Sequence, residues 1–265
     1  MPAKPQHKVA MAVAAHPDDI EFMMSGTMIL LREAGYELHY LNVANGCCGS
    51  VTLSGPEIAA IRTEEAREAA ALIGAKFYPP LVDDIDIFYE KSLLAKLSAI
   101  IRKVNPQILL LPSPQDYMED HMNTSRLGVT AAFCRNMKNY PTDPPTTPVE
   151  SEMCLYHALP MGLIDQLRNP ILPDYIIDIS SVMYKKRKML SCHRSQKQWL
   201  DESQGVDNYI HMMEDMAEKV GRLSGLVRFG EGWRRHSHMG FSPEDFDPLR
   251  NTLSNYVFPI KKGGR

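Results

Sequence analysis

The sequence predicts an α/β fold in which helices cover both faces of a mostly parallel sheet. Two observations favour this class. Short runs rich in valine, isoleucine and leucine alternate with longer stretches of helical period. The chain also has 265 residues, of which 44% are hydrophobic, so it can bury a sizeable core. In such a sheet ligands bind beyond the carboxyl ends of the strands, so polar residues that follow a strand are the first candidates for a site.

Six strands are predicted from the apolar runs. They are Lys8–Ala15, Glu37–Ala44, Lys76–Leu81, Gln107–Pro112, Glu152–Ala158 and Tyr175–Ile179. Helices are predicted between and after them, at Asp19–Glu33, Pro56–Ile73, Lys91–Val104, Thr124–Asn136, Ser181–Trp199 and Asp207–Leu223. Pro56 suits a first helical turn, and Gly35 and Gly74 suit helix ends.

A single domain over residues 1–265 is the expected organisation. The proline-rich segment Tyr140–Glu150 predicts a surface loop, because too little chain precedes the next strand to form a separate core. After Leu223, repeated glycines and prolines predict a loop-rich C-terminal part, with the final KKGGR as a frayed tail. The methionine pairs Met23–Met24 and Met212–Met213 are predicted to fill the core, and the basic run Lys185–Lys188 to form a solvated helix face.

Charge and hydropathy narrow the class of partner. A net charge of −3 and a pI near 6.3 provide no electrostatic basis for binding nucleic acid or an anionic membrane, so a small-molecule partner is expected. No apolar run approaches the ~18 residues of a membrane helix, and the first residues lack the apolar stretch of a secretory signal. Five cysteines without a disulfide or zinc-site spacing predict reduced thiols and a cytoplasmic location. The oligomeric state stays open, with a homo-oligomer compatible with the sequence.

The segment AAHPDDIE, from Ala14 to Glu21, directly follows the first apolar run. If the chain turns into a helix at Pro17, His16 and Asp19 can face one point, and their side chains suit Zn²⁺ or a similar ion. His121, after the fourth strand, would complete a set of three ligands, and Asp18 would then be placed as a general base. A helix N-cap at Asp18 or Asp19 is the alternative.

Two more polar segments follow predicted strands. VANGCCGS comes after the second strand and LLPSPQDYMEDH after the fourth, and the fold class places the first strand between them. Cys47 and Cys48, in the first of these segments, are candidates for lining a pocket, although nothing nearby indicates a nucleophile. A dinucleotide site is disfavoured, because HPDD stands where a G-x-G-x-x-G motif would follow the first strand.

The motif AHPDDIE resembles the AHPDDxE signature of the LmbE-like, or PIG-L, deacetylase family. This family includes the N-acetylglucosaminyl-phosphatidylinositol de-N-acetylases and the deacetylases of mycothiol and bacillithiol synthesis. Five further segments are similar to family segments in the same order, namely NGCCGS, IRTEEAREAAALIGA, DYMEDH, KKRKMLSCHRSQ and GEGWR. Together they span about residues 8–234, which leaves residues 235–265 as a C-terminal extension.

The resemblance implies a Rossmann-like fold and hydrolysis of an N-acetyl group from an amino sugar or its glycoside. It implies Zn²⁺, or another divalent ion such as Fe²⁺, as cofactor. The metal ligands would be His16, Asp19 and His121. The catalytic residues would be Asp18 and His193. Substrate contacts are expected at Arg62, Asn45, Gly46 and Met118. Asp116 and Asp120 are expected to lie behind the metal ligands and to hold them in position. For Arg62, an ion pair with Glu65 or Glu68 is the alternative.

One position departs from the family pattern. Met118 stands where the family usually has a histidine, three residues before the metal ligand, and Glu119 replaces the usual proline. A thioether donates no hydrogen bond, and loss of one oxyanion donor elsewhere lowers rates by roughly 10²–10³. The candidates for a replacement hydrogen-bond donor are His193, Tyr117, His157 and the pair His236 and His238. The alternative function is a sugar-binding or regulatory protein that keeps the metal but has weak or no turnover.

Overall fold

Eight strands form one sheet in the structure, a computed structural model that describes residues 7–197 and 209–261. The strands are β1 (Val9–Ala14), β2 (Glu37–Asn42), β3 (Lys76–Tyr78), β4 (Ile108–Leu111), β5 (Cys154–Ala158), β6 (Tyr175–Asp178), β7 (Gly230–Arg235) and β8 (Val257–Phe258). Their order across the sheet is β3-β2-β1-β4-β5-β7-β6-β8. The pairs among β3, β2, β1, β4 and β5 are parallel, and β7 pairs antiparallel with both β5 and β6. The predicted mostly parallel sheet is therefore confirmed, with an antiparallel side.

Eight helices are bounded within the described residues. They are α1 (Asp19–Met23), α2 (Ser25–Glu33), α3 (Gly55–Leu72), α4 (Lys91–Val104), α5 (Glu119–Phe133), α6 (Met183–Leu190), α7 (Tyr209–Arg222) and α8 (Pro248–Thr252). α4 has the predicted bounds, and α3 begins one residue before Pro56, with a capping box between Ser54 and Glu57. The predicted helix Asp19–Glu33 is broken at Met24, whose φ of −133° is not helical. α5 begins at Glu119, five residues earlier than predicted, because Glu119 and Asp120 suit the positive end of a helix.

The six predicted strands are all present, each shorter than predicted at one or both ends. Segment Tyr140–Glu150 contains no helix or strand, as predicted. The predicted helix Ser181–Trp199 is present as α6 and as a second helical stretch at residues 194–197. Its end at Trp199, the start of the predicted helix at Asp207, and residues 262–265 of the predicted tail lie outside the described residues.

The loop-rich C-terminal part was predicted wrongly at GEGWRR, which forms the inserted strand β7. In the sequence, Gly230 and Gly232 suggest a loop. In the structure, both positions require glycine because neighbouring side chains leave no room for a Cβ atom. A Cβ on Gly230 would lie 2.5 Å from Ile176 Cγ2, and one on Gly232 would lie 2.6 Å from Leu159 Cδ1. Here glycine allows a strand to enter a crowded sheet.

Buried apolar residues form a core on each face of the sheet. Along β1, Ala10, Ala12 and Ala14 pack into the core under α1, α2, α3, α6 and α7, while Val9, Met11 and Val13 pack into the core under α4 and α5. The predicted helices on both faces are therefore confirmed. None of the helices within the described residues is long and apolar enough to cross a membrane.

A buried ion pair fastens β7 to the first helices. Glu231 accepts hydrogen bonds from the backbone nitrogens of Gly26, at 2.8 Å, and Thr27, at 2.7 Å, at the start of α2. Lys186 of α6 donates to Glu231 Oε1 at 2.6 Å and to the carbonyl oxygen of Phe22 at 3.0 Å. Lys186 is fully buried, so the prediction that Lys185–Lys188 forms a solvated face is wrong at this residue.

Replacing Lys186 tests this ion pair. We expect Lys186→Met to lower the free energy of unfolding by about 3–5 kcal/mol, because it leaves the buried Glu231 carboxylate without its cation. The neighbouring Lys185→Met is the matched control, since Lys185 pairs with Glu33 at the surface and such pairs contribute at most about 1 kcal/mol. Urea unfolding curves of both variants measure the difference. Equal effects of the two substitutions would contradict the role given to Lys186.

Candidate active site

The loop between β1 and α1 places His16, Asp18 and Asp19 at the carboxyl edge of the sheet. Asn42, the last residue of β2, donates a hydrogen bond to the His16 carbonyl oxygen at 2.6 Å. The backbone nitrogen of His16 donates to Asp19 Oδ2 at 2.7 Å. Asp18 has a φ of 102°, in the left-handed region that aspartate tolerates better than most residues. Its side chain makes no helix-capping hydrogen bond, which argues against a simple N-cap at Asp18.

The turn brings His16 and Asp19 together with His121 from the first part of α5. One potential ligand atom of each residue lies within 4.8 Å of the other two. Asp19 Oδ1 is 3.3 Å from His121 Nε2, and Asp19 Oδ2 is 3.7 Å from His16 Nδ1. The three residues, predicted from two separate segments, thus converge on one point.

Two further carboxylates hold the imidazole rings from behind. Asp120 Oδ2 is 2.9 Å from His16 Nε2, and Asp116 Oδ1 is 3.1 Å from His121 Nδ1. Each ring therefore turns its other nitrogen towards Asp19. Asp120 also accepts the backbone N–H of Ile85 at 2.8 Å.

The buried carboxylates govern the protonation of both imidazoles. Burial alone would lower the pKa of His16, but hydrogen bonds to Asp120 and Asp19 raise it to about 9. Burial likewise acts to lower the pKa of His121, and Asp19 and Asp116 raise it well above its usual value. Burial would raise the pKa of Asp19, yet His121 and His16 hold it well below its usual value. The cluster therefore concentrates negative charge that favours bound cations, whether protons or a metal ion.

Asp18 lies beside this cluster in a different environment. Tyr209 of α7 donates a hydrogen bond to Asp18 Oδ2, and Arg62 Nη2 is 3.6 Å from the same oxygen. Burial raises the pKa of Asp18 despite the opposing charge of Arg62. No motif pointed to Tyr209, because it is 191 residues from Asp18 along the chain.

Arg62 lies inside the site and not at the protein surface. Its guanidinium donates to the carbonyl oxygen of Pro17 at 2.7 Å and to that of Gly46 at 3.3 Å. The alternative ion pairs are not made, because Glu65 accepts from Ser195 and Glu68 from Arg194. Arg62 is thereby fixed against both the HPDD loop and the turn after β2.

A cavity of about 400 Å³ opens onto these groups, and His16, Asp18, Asp19, Arg62 and His121 line it. This volume lies in the range of small-molecule sites. Much of the remaining wall is apolar and consists of Phe22, Met23, Met118, Met161 and Met212. The core prediction for the methionine pairs is correct for Met23, Met24 and Met213, although Met23 also lines the cavity, and it is wrong for Met212, whose side chain is exposed.

The turn after β2 contributes Cys48 and Gly49 to the cavity wall, but not Asn45 and Gly46, the two residues that the sequence predicts as substrate contacts. The Asn45 side chain donates to Asp83, and Gly46 packs against Arg62, where a Cβ would lie 2.7 Å from Arg62 Cδ. Neither residue is among those that line the cavity, whereas Cys48 and Gly49 from the same turn are. The backbone path through the turn, which the motif did not reveal, decides which residues face inward.

The candidate replacement donors lie at different places. His193 is fully buried and its Nε2 is 3.2 Å from Glu21 Oε2, so it stands behind the site without lining the cavity. This differs from the predicted catalytic contact. Tyr117 does line the cavity, and its ring meets that of His121 edge-on at 5.8 Å between centroids. Burial raises the pKa of Tyr117 to about 12, so its hydroxyl is a donor near neutral pH.

His157 and His236 contact each other at a second cavity, away from the His16 cluster. His157 Nδ1 is 2.9 Å from the carbonyl oxygen of Pro112, and its Nε2 is 3.0 Å from His236 Nδ1. If the Nδ1–H groups of both rings donate, His157 Nε2 accepts and the ring is neutral. Burial lowers the pKa of His157 to about 4. His157 therefore acts as a structural histidine and not as a replacement donor in the cavity beside His16.

One known family matches the first half of the chain in sequence. The family described as PIG-L, GlcNAc-PI de-N-acetylase, matches residues 11–132, a range that contains the HPDD loop and His121. This match agrees with the LmbE-like, or PIG-L, family that the motifs resemble, and so do the names of the similar deacetylases.

Three similar proteins each cover most of this chain. The diacetylchitobiose deacetylase of Thermococcus kodakarensis is 28% identical over 86% of this chain and 82% of its own. The 4-oxalmesaconate hydratase of Pseudomonas putida is 26% identical over 72% of this chain and 74% of its own. The solved structure of N,N'-diacetylchitobiose deacetylase from Pyrococcus horikoshii superposes with a TM-score of 0.73 at 28% identity, covering 91% and 88% of the two chains. The proteins similar to this chain thus include deacetylases and also a hydratase.

The protonation of His157 provides a pH-dependent prediction. Its pKa in the folded protein, about 4, is below the ordinary value of about 6.5, so the unfolded chain binds the proton more tightly. This contribution to stability is complete above pH 6.5 and is lost as the pH falls towards 4. Between about pH 7.5 and pH 5 we expect wild-type protein to lose about 2 kcal/mol more unfolding free energy than His157→Gln. Urea unfolding at both pH values tests this, and parallel losses would contradict it.

Proposed function

We propose that this protein is a metal-dependent N-deacetylase that hydrolyses the acetamide of an N-acetylated amino sugar or its glycoside and releases acetate. The observation that carries the proposal is the convergence of His16, Asp19 and His121 beside the carboxylate of Asp18 in a cavity of substrate size. Deacetylases of the same family, 28% identical over most of this chain, support the reaction type.

The donor set fits a divalent ion. His16 Nδ1, His121 Nε2 and an oxygen of Asp19 would hold it, which is the imidazole and carboxylate set that catalytic zinc uses, and Fe²⁺ is the other candidate. Asp120 and Asp116 would fix both rings, as carboxylates do behind many histidine ligands. When bound, such an ion lowers the pKa of water and polarises a carbonyl group.

Asp18 is assigned as the group that moves the proton. Tyr209 and Arg62 both contact Oδ2, so Oδ1 is the oxygen we assign as acceptor. Asp18 takes a proton from the attacking water as the oxygen adds to the acetamide carbon. It then gives that proton to the amine nitrogen as the carbon–nitrogen bond breaks, which yields acetate and the free amino sugar.

The carbonyl oxygen needs a hydrogen-bond donor as negative charge builds on it. Met118, at the start of α5, faces the cavity and offers none. The hydroxyl of the adjacent Tyr117 is the donor that we assign to this role, because it lies in the cavity wall beside His121. His193 contacts Glu21, the last residue of the AHPDDIE motif. We assign His193 the role of holding Glu21 in position, without a contact to substrate.

Hydration is a second candidate activity, favoured by Met118. Adding water to a carbon–carbon double bond needs a proton acceptor, but it forms no amide-derived oxyanion and expels no amine. A relative named as a hydratase lies at 26% identity. Assaying acetate release from acetamido sugars, and the loss of ultraviolet absorbance from conjugated unsaturated carboxylates, separates the two reactions. The alternative of binding without turnover is not favoured, because these relatives are enzymes.

The remaining proposals concern the size of the substrate, the domain organisation and the location of the protein. We propose a small amino-sugar substrate, a single catalytic domain over the chain and a cytoplasmic location. The cytoplasmic location is supported by the five cysteines, all of which are free thiols.

Asp120 and Asp116 provide a test of the metal site. We expect Asp120→Asn and Asp116→Asn each to weaken binding of Zn²⁺ by about 10–100-fold, because the imidazoles lose the carboxylates that orient them. Glu119→Gln, an exposed residue on the same helix, should leave the affinity unchanged. Competition with a chromophoric chelator measures the affinity. Unchanged binding in both asparagine variants would contradict the assignment of the ligands.

Position 118 provides a test of the chemistry. We expect Met118→His to raise kcat for acetate release by up to about 10²-fold, because it adds a second donor, beside that of Tyr117, at the developing oxyanion. Met118→Leu is the matched control and should leave kcat near the wild-type value, since it changes shape without adding a donor. Acetate release under substrate saturation measures both. Equal rates in the two variants would show that the missing donor does not limit the reaction.

A further inference from the structure

The turn after β2 carries a second cluster of metal-binding side chains. Ligand atoms of Cys47, Cys48 and Asp84 all lie within 4.8 Å of one another. Adjacent side chains in an extended chain point in opposite directions, but here the two sulfur atoms lie on the same side, 4.0 Å apart. They form no disulfide.

The sulfur spacing suits one soft ion bound by both thiolates. Two Zn–S bonds of about 2.3 Å with a tetrahedral angle separate the sulfurs by about 3.8 Å, so only a small adjustment is needed. Thiolates favour soft and borderline ions such as Cd²⁺ and Zn²⁺, and a carboxylate can provide the third ligand. A fourth position is left for water or a ligand atom.

Backbone contacts hold the three ligands in place. Asp84 Oδ1 accepts from Gly46 N at 2.7 Å, and Oδ2 accepts from Cys48 N at 2.9 Å. Asp84 N donates to Cys47 Sγ at 3.4 Å. The carboxylate is therefore bound to the same turn that carries both thiols, and each of its oxygens keeps a lone pair for a cation.

The cluster adjoins the candidate active site but shares no residue with the His16 cluster. Cys48 and Asp84 line the same cavity, and Cys48 is exposed at its wall. Asp84 is also followed by Ile85, whose φ of 64° is unusual for a β-branched residue and whose N–H donates to Asp120. Asp120 in turn holds His16. A cation bound at Asp84 would therefore narrow the cavity, and Asp84 is linked to the proposed metal ligand His16 by one peptide bond and two hydrogen bonds.

We propose that Cys47, Cys48 and Asp84 form a second, thiophilic cation site at the cavity wall, where bound Zn²⁺ or Cd²⁺ inhibits the enzyme. The binding stands on its own geometry, whereas the inhibition rests on the proposed deacetylase function.

Binding is tested with Cd²⁺ on the full chain, after the His16 cluster has been loaded with Zn²⁺. We expect one further equivalent of Cd²⁺ to bind and to produce the ultraviolet charge-transfer band of cadmium thiolate. Cys47→Ser and Cys48→Ser should each weaken this binding by at least about tenfold, since serine is a poor ligand for a soft ion. Cys192→Ser, which changes a partly buried thiol in the turn after α6, is the matched control and should keep the band. His121→Ala should also keep it while losing the zinc.

A measurement on wild-type protein guards against a folding defect in the variants. Cd²⁺ should protect Cys47 and Cys48 together from alkylation, as read by peptide mass spectrometry, without protecting Cys192. No thiolate band in wild type, a band that persists in both Cys47→Ser and Cys48→Ser, or loss of the band in His121→Ala would each overturn the proposed site.

Inhibition is measured as the ratio of acetate release with and without excess Zn²⁺, within each variant. We expect this ratio to fall about tenfold in wild type and to stay near one in Cys48→Ser. Equal inhibition in both proteins would overturn the regulatory role while leaving the binding result intact. If no variant releases acetate, the proposed function fails, and the cadmium band still decides whether the site exists.

Discussion

Buried carboxylates need cations or hydrogen-bond donors, and this requirement organises the carboxyl edge of the sheet. Asp18, Asp19, Asp116 and Asp120 all lie there within a low-dielectric interior. An arginine and a tyrosine hold Asp18, whereas imidazoles hold the other three: both for Asp19, and one each for Asp116 and Asp120. The result is a pair of chemically distinct carboxylates side by side. The pKa of Asp18 is raised and that of Asp19 is lowered, which suits one for moving protons and the other for holding a cation.

This arrangement depends on residues far along the chain. Glu231 of β7 binds the start of α2, and Lys186 binds both Glu231 and the end of α1, so the helix that begins at Asp19 is fixed from behind. Glu21, the last residue of the HPDDIE motif, is fully buried and holds Tyr40 and His193. The final glutamate of the motif thus acts as a structural anchor. These buried polar contacts hold α1 and α2 in place, and they thereby position the side chains that line the cavity.

The cavity combines this charged floor with an apolar, methionine-rich wall. Methionine is adaptable and lets such a wall fit irregular apolar groups, while Arg62 and Asp18 contribute polar groups to the cavity lining. Met118 belongs to this wall, so its substitution for histidine removes a donor and extends the apolar surface. Position 118 is therefore relevant to the rate of the proposed amide hydrolysis and to the choice between the two proposed reactions. Because the similar proteins include both a deacetylase and a hydratase, an assay is needed to separate the two activities.

The sequence by itself determined the parallel half of the fold and the identity of the His16, Asp19 and His121 cluster. Apolar runs of strand length and an unusual HPDD segment are local signals, and parallel strands must end at a common edge. The tertiary structure alone decided the strand β7, the placement of Tyr209 beside Asp18, the burial of Lys186 and His193, and the choice of Cys48 over Asn45 at the cavity wall. These features depend on contacts between residues distant in the chain and on backbone turns. No periodicity or spacing encodes them, because the packing of neighbouring elements determines which side of a turn, strand or helix is buried.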